Sequence, residues 1–192
     1  MSIYDVFIND FPIVKGNKST PYLILFDAFT GQGKSYVSKI ISKYDNSVIV
    51  NNDEVRNWLN DYNDKENLKD KLQKYRLELL LKNNNSCIID SCFSHNWKDK
   101  KIYYDKLGYK FYVIRLVCSD KVVKERLLKR NINNDDYSKG SYNDYMWMKK
   151  NVSNVDNNLI DYVINTEEDV EEQVLDFFNK YKLLGCESKN DN

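Results

Sequence analysis

The stretch Asp27-Ala28-Phe29-Thr30-Gly31-Gln32-Gly33-Lys34-Ser35 sets a lysine and a hydroxyl immediately after a glycine-bearing loop. An apolar run precedes it and a helix-periodic stretch follows, which is the context in which such a loop binds phosphate. Backbone N–H groups from Thr30 to Ser35 can wrap a β-phosphate, provided Gly31 and Gly33 take the backbone angles that favour glycine. The following helix adds its positive N-terminal end. Lys34 can reach the β- and γ-phosphates, and the Ser35 hydroxyl can hold Mg²⁺. The expected nucleotide-binding set is therefore Thr30, Gly31, Gln32, Gly33, Lys34 and Ser35. The pattern is of the GxxxxGKS/T type with Ala28 in place of the first glycine, a position that often takes an unusual backbone angle.

A second group follows the second apolar run, in Asn51-Asn52-Asp53-Glu54-Val55-Arg56. A helical start here puts Asp53 and Arg56 on one face, at the edge where parallel sheets bind ligands. A carboxylate at that edge can accept a proton from a hydroxyl nucleophile, and an arginine one turn on can grip an anionic substrate group. The alternative is an aspartate helix cap followed by a surface arginine. The third run, Cys87-Ile88-Ile89, ends in Asp90, an arrangement that commonly faces Mg²⁺ across from a phosphate loop. Arg126 and Arg130 sit four apart on one helical face, with Val123 and Leu127 on its apolar side. They stand just before the polar stretch Asn131–Ser141, so a lid carrying guanidinium groups to a phosphate is expected, with a solvated basic face as the alternative.

These groups need a scaffold, and the runs between them supply one. Tyr22–Phe26, Ser47–Val50, Cys87–Ile89, Phe111–Val117 and Tyr162–Ile164 read as buried strands. Ser35–Lys43, Leu68–Lys82, Trp97–Leu107, Asp120–Arg130 and Val170–Tyr181 read as helices, the third closed by Gly108. Buried strands alternating with helices imply an α/β fold, a parallel sheet covered on both faces. Residues 1–20 form an extension before the first strand, 21–184 the main domain, and 185–192 a tail expected to be disordered.

With 192 residues the chain is long enough for one domain with its own core. Lys plus Arg and Asp plus Glu both total 29, which argues against a basic nucleic-acid coat while leaving a local groove open. Arginine is scarce at five residues and alanine occurs once, against 24 Lys and 25 Asn. That skew reads as base bias and carries no function. Cys87, Cys92, Cys118 and Cys186 form no CxxC pair, and His95 is the only histidine, so a reduced compartment is expected and no zinc site. Cys87 and Cys118 are expected in the core. The first ten residues show no signal-peptide pattern and no run approaches the ~20 apolar residues of a membrane span, so a cytoplasmic location is expected. His95 reads as solvent-facing. Tyr137, Tyr142, Tyr145 and Trp147 either stack a base or pack a helix, with packing favoured. Asp61–Asp64 lacks the glycine and the spaced glutamate of a calcium loop.

Taken together, the AFTGQGKS loop, NNDEVR, IID and RLLKR resemble the P-loop kinases grouped around phage-type polynucleotide 5′-kinase and the zeta-toxin-like kinases. The resemblance spans residues 22–130. It implies a P-loop NTPase three-layer α/β/α sandwich, with a five-stranded parallel sheet of order 2-3-1-4-5 and a small helical lid. It further implies ATP as donor and Mg²⁺ as cofactor, with Asp53 as general base, Arg56 holding a substrate phosphate, Asp90 organising metal and acceptor, and Arg130, assisted by Arg126, on the donor phosphates. The acceptor it points to is a hydroxyl: a polynucleotide 5′-end or a nucleotide-like molecule. A small-molecule, nucleoside-monophosphate or adenylylsulfate-type kinase and a nucleotide-gated binding module are the alternatives.

Overall fold

In the computed structural model, residues 1–60, 62, 65–133, 140–153 and 155–183 are described. Five strands, β1 (Tyr22–Asp27), β2 (Val48–Asn51), β3 (Cys87–Cys92), β4 (Lys110–Val117) and β5 (Tyr162–Asn165), form one sheet of order β2-β3-β1-β4-β5. Every pairing is parallel. This is the order the resemblance implies. β1 is buried along its whole length, as the central strand of a sheet covered on both faces must be.

Two apolar layers follow from that burial. On one face α2 (Lys34–Asp45) and α8 (Val170–Tyr181) cover Ile24, Phe26, Ile88 and Ile114 with Val37, Ile41, Val174 and Phe177. On the other, α4 (Lys65–Lys82) and α5 (Trp97–Leu107) bring Leu77, Leu80, Trp97 and Tyr104 against Leu23, Leu25, Ile89 and Val113. Successive strand residues point to opposite faces, so each strand feeds both layers. Gly108 ends α5 in the left-handed region at φ 72°, the conformation its sequence position suggested.

The extension before β1 is structured. Ile3–Asp10 forms α1, opened by a Ser2–Asp5 capping box. Phe7 is fully buried with Val55, Leu59 and Leu72, so α1 packs on α3 (Asn52–Trp58) and α4. Trp58 Nε1 donates to Asp10 at 2.7 Å, which ties α1 to the element carrying Asp53 and Arg56. α6 (Asp120–Asn133) and α7 (Tyr142–Asn151) flank the expected lid, whose residues 134–139, Tyr137 among them, lie outside the described residues, as do Asp61, Asn63, Asp64 and the tail from 184 onward. No helix among the described residues is long and apolar enough to cross a membrane.

Candidate functional site

The site begins where β1 runs out. Residues 28–33 turn from β1 into α2, and the two left-handed positions in that turn are Gly31 at φ 79° and Gly33 at φ 97°. Both angles favour glycine, and the space around each is tight. A Cβ on Gly31 would lie 2.9 Å from Leu127 and Val123 of α6, and one on Gly33 would meet Thr166 at 3.3 Å. Ala28 has no positive φ and is buried in the core, so alanine fits the first position of the loop without strain.

The loop is held by its own atoms. Phe29 N–H donates to the Gln32 side-chain oxygen at 2.6 Å, and Lys34 Nζ donates to the Phe29 carbonyl at 2.7 Å. Below it, the buried Asp27 carboxylate accepts from Arg115 Nε at 2.6 Å and from the Ser94 hydroxyl. Arg115 continues to Asn157 and to the Val155 carbonyl, so one guanidinium fastens the end of β1 to the segment before β5. A charged residue inside the otherwise apolar run FYVIRLV was the available signal for this clasp.

A cleft of about 50 Å³ opens above the loop, lined by Thr30, Gly31, Gly33, Lys34, Ser35, Asn51, Asp53, Asp90 and Arg130. The sequence groups from three strand ends thus converge. Burial lowers the affinity of Lys34 for its proton, and the nearby Asp90 and Asp53 carboxylates pull in the opposite direction. Burial likewise lifts the Asp90 carboxyl above its ordinary range, against a hydrogen bond from Ser35 and the charge of Lys34. Asn51, across the register from Asp90, donates to it at 3.1 Å. The oxygens of Ser35 and Asp90 suit a hard cation. No group of three or more His, Cys, Asp or Glu side chains gathers at metal distance among the described residues. That sparse set fits Mg²⁺, which keeps waters and takes much of its shell from phosphate.

Asp53 and Arg56 do share a face, and they form an ion pair with each other. Arg56 Nε also donates to Glu66 at 2.9 Å, and Arg56 is absent from the cleft lining. The helix cap is not Asp53. Asn51 caps α3, accepting from Asp53 N–H at 2.7 Å, because Asn51 is the last extended residue before the helix. Arg130 lines the cleft, whereas Arg126 turns to Thr166, donating to its hydroxyl at 2.9 Å and its carbonyl at 2.7 Å beside Gly33. Gly140, after the residues outside the description, comes against the loop. A Cβ on Gly140 would lie 2.1 Å from Thr30 Oγ1.

Other expectations divide. Cys87 is fully buried, but Cys118 is only half-buried, because Val117 and Cys118 lie at the exposed end of β4. His95 is exposed. Tyr145 packs against Phe29 and Tyr142 as favoured, while Trp147 stays 56% exposed on the outer face of α7.

Residues 24–146 match the AAA domain family. The chain belongs to that family. No curated protein matches this AAA domain in sequence. Among solved structures it is similar to the Mycobacterium tuberculosis APS kinase CysC in complex with AMPPNP and APS, at 12% identity and a TM-score of 0.61, over 85% of this chain and 98% of that one. A gluconokinase from Sinorhizobium meliloti superposes at 10% identity and a TM-score of 0.57, over 88% of this chain and 95% of that one. Shikimate kinase from Acinetobacter baumannii in complex with shikimate gives 9% identity and a TM-score of 0.53, over 86% and 94%. At such identities the likeness is one of fold, and the fold is that of the P-loop NTPases.

Proposed function

We propose that this AAA domain is an ATP-dependent phosphotransferase that moves the γ-phosphate to a hydroxyl of a small molecule. The observation that carries the reading is the meeting of Lys34, Ser35, Asp53, Asp90 and Arg130 in one cleft over the glycine loop. Such a cleft needs little covalent chemistry, because phosphoryl transfer is accelerated mainly by positioning and charge. Thr30 to Ser35 hold the donor phosphates through backbone N–H groups, Lys34 and Arg130 neutralise their charge, and Gln32 fixes the loop that presents them.

In the transfer, the acceptor oxygen bonds to the γ-phosphorus while the bond from that phosphorus to the bridging β–γ oxygen breaks. The electron pair leaves on ADP and the hydroxyl proton passes to the Asp53 carboxylate. Arg56 holds Asp53 as its ion-pair partner and thereby acts as a positioning residue, with Arg126 supporting the loop from Thr166. Ser35 and Asp90 would hold Mg²⁺, which supplies charge neutralisation on the donor phosphates when bound.

The small-molecule acceptor is favoured over a polynucleotide end on two grounds. Arg56, the residue a strand phosphate would need, is already engaged by Asp53 and Glu66. The three solved structures above are also small-molecule kinases by name. Labelled ATP incubated with a panel of small hydroxyl compounds and a 5′-hydroxyl oligonucleotide tests the reading. Label on a small compound supports it, and label on the oligonucleotide alone overturns it.

A further inference from the structure

The helix α1 precedes residue 24, where the match to the AAA domain family begins. No step of the phosphoryl transfer uses it. Its docking place is nevertheless α3, the helix that carries Asp53.

α3 is seven residues long, and a helix of that length does not hold itself in water. Its two ends are fixed by different means. The start is pinned to the sheet, because Asn51 caps it, donates to Asp90 at 3.1 Å and gives its own carbonyl to Gln73 Nε2 at 2.6 Å. The remainder leaves the sheet. Val55 and Leu59 are fully buried, yet they belong to neither apolar layer on the strands. They sit in a separate cluster whose other fully buried members are Phe7 of α1 and Leu72 of α4. Phe7 also meets the Trp58 ring edge-on, with centroids 5.3 Å apart, and the bond from Trp58 Nε1 to Asp10 closes the contact at the surface.

α1 is itself anchored. Tyr4 packs edge-on against Tyr75 of α4, with centroids 5.0 Å apart. The chain running on to β1 is tied to the turn after α4: Gly16 N–H donates to the Asn83 carbonyl at 2.7 Å, and Asn85 Nδ2 donates to the Val14 carbonyl at 2.8 Å. α1 is therefore a fixed wedge, and α3 cannot swing away from α4 without displacing Phe7. Asp53 stands in the first turn of α3 and its ion-pair partner Arg56 one turn on, so the direction of the carboxylate depends on where both turns lie. Misplacing a reacting group by about 1 Å can cost about 10²-fold in rate.

We infer that α1 is a positioning element of the transfer site: Phe7 and the Asp10–Trp58 bond hold α3 so that the Asp53 carboxylate stays at the cleft. The inference rests on the phosphotransferase reading and adds to it a part from outside the AAA match.

The test is transfer from γ-labelled ATP, to the small hydroxyl compound that accepts it and to water in its absence. ATP affinity is followed by calorimetry and α3 by amide hydrogen exchange. Phe7→Ala is expected to lower kcat about tenfold with ATP affinity held, and to speed exchange in α3 while leaving α2 unchanged. Val174→Ala, a cavity variant under α8, controls for stability and is expected to lower Tm without lowering kcat. Asp10→Ala is expected to lower kcat about threefold, and Asp10→Asn to keep it, because the amide oxygen still accepts from Trp58 Nε1. The Asp10 pair leaves the core intact, so it decides the question even where Phe7→Ala does not fold. A kcat in Phe7→Ala no lower than in Val174→Ala overturns the inference. So does an ATP affinity that falls in step with kcat, α3 exchange that Phe7→Ala leaves unmoved, or a wild-type kcat in Asp10→Ala. Wild-type protein that binds ATP and transfers no label, to any acceptor or to water, would overturn the phosphotransferase reading itself, and exchange in α3 would then decide whether α1 holds that helix.

Discussion

The phosphate end and the acceptor end of the cleft are built on opposite plans. At the phosphate end the loop between β1 and α2 is one contiguous stretch, and its polar atoms are satisfied from within: Gln32 by Phe29 N–H, Lys34 by the Phe29 carbonyl. At the acceptor end the wall comes from β2, α4, β3 and α5, and Gln73 and Tyr103 keep polar atoms unpaired. The difference separates a region whose polar atoms are paired within one stretch of chain from one that buries polar atoms without partners. Phosphates are common to every donor nucleotide, so a rigid cradle of backbone groups serves them all.

Four substitutions probe that contrast, in decreasing order of effect. Asp53→Asn, at the junction of the two ends, should lower kcat for the best acceptor by roughly 10²–10⁴ while ATP affinity holds. Asparagine cannot take the proton, and Asn51 already caps the helix, so a wild-type kcat in steady-state assays would remove Asp53 from the chemistry. Lys34→Ala should reduce transfer by about 10²–10³ through lost charge stabilisation. A folded variant of normal turnover would dissolve the claim that the phosphate end is electrostatic.

Arg115→Ala leaves the Asp27 side chain, 8% exposed, without its ion-pair partner. We expect a loss of about 3 kcal/mol in denaturant melts, as for other broken buried pairs. The loss should appear as weaker ATP binding, since Asp27 ends the strand that carries the loop. A stability change within experimental error would mean that this clasp does not hold the end of β1. The smallest effect belongs to Glu66→Gln on the exposed rim of α4. Hydrogen bonds from Arg56 and Lys69 hold the Glu66 carboxyl down at about 2, but its side chain is 65% exposed. Solvent screening keeps its contribution below about 1 kcal/mol. A depressed carboxylate stabilises above its unfolded value, here 4.5, and loses that gain as pH falls toward 2. The wild-type advantage in melts should therefore be present at neutral pH and shrink steadily through that acid window. An advantage that grew on acidification would contradict the assignment of the ion pair.

Chain-local chemistry was legible in the residues themselves. A glycine loop that wraps phosphate uses neighbouring backbone groups, so Gly31, Gly33, Lys34 and Ser35 betray it in a few consecutive letters, and unbroken apolar runs reveal strands buried on both faces. The i, i+3 spacing likewise brought Asp53 and Arg56 to one face of α3. Their union as an ion pair, rather than two separate claims on a substrate, depended on side-chain directions and on Glu66 arriving from α4. Arg126 and Arg130 illustrate the same limit: one helical face carries both, yet Thr166, the residue after β5, captures only the first. α1 was hidden because its apolar residues find their partners on α3 and α4, far along the chain. Gln73 and Tyr103 carry no motif at all. They face one cavity because the order β2-β3-β1-β4-β5 sets α4 and α5 side by side over the ends of β2 and β3. Which buried polar atoms go unpaired is a property of that three-dimensional packing, and only tertiary structure decides it.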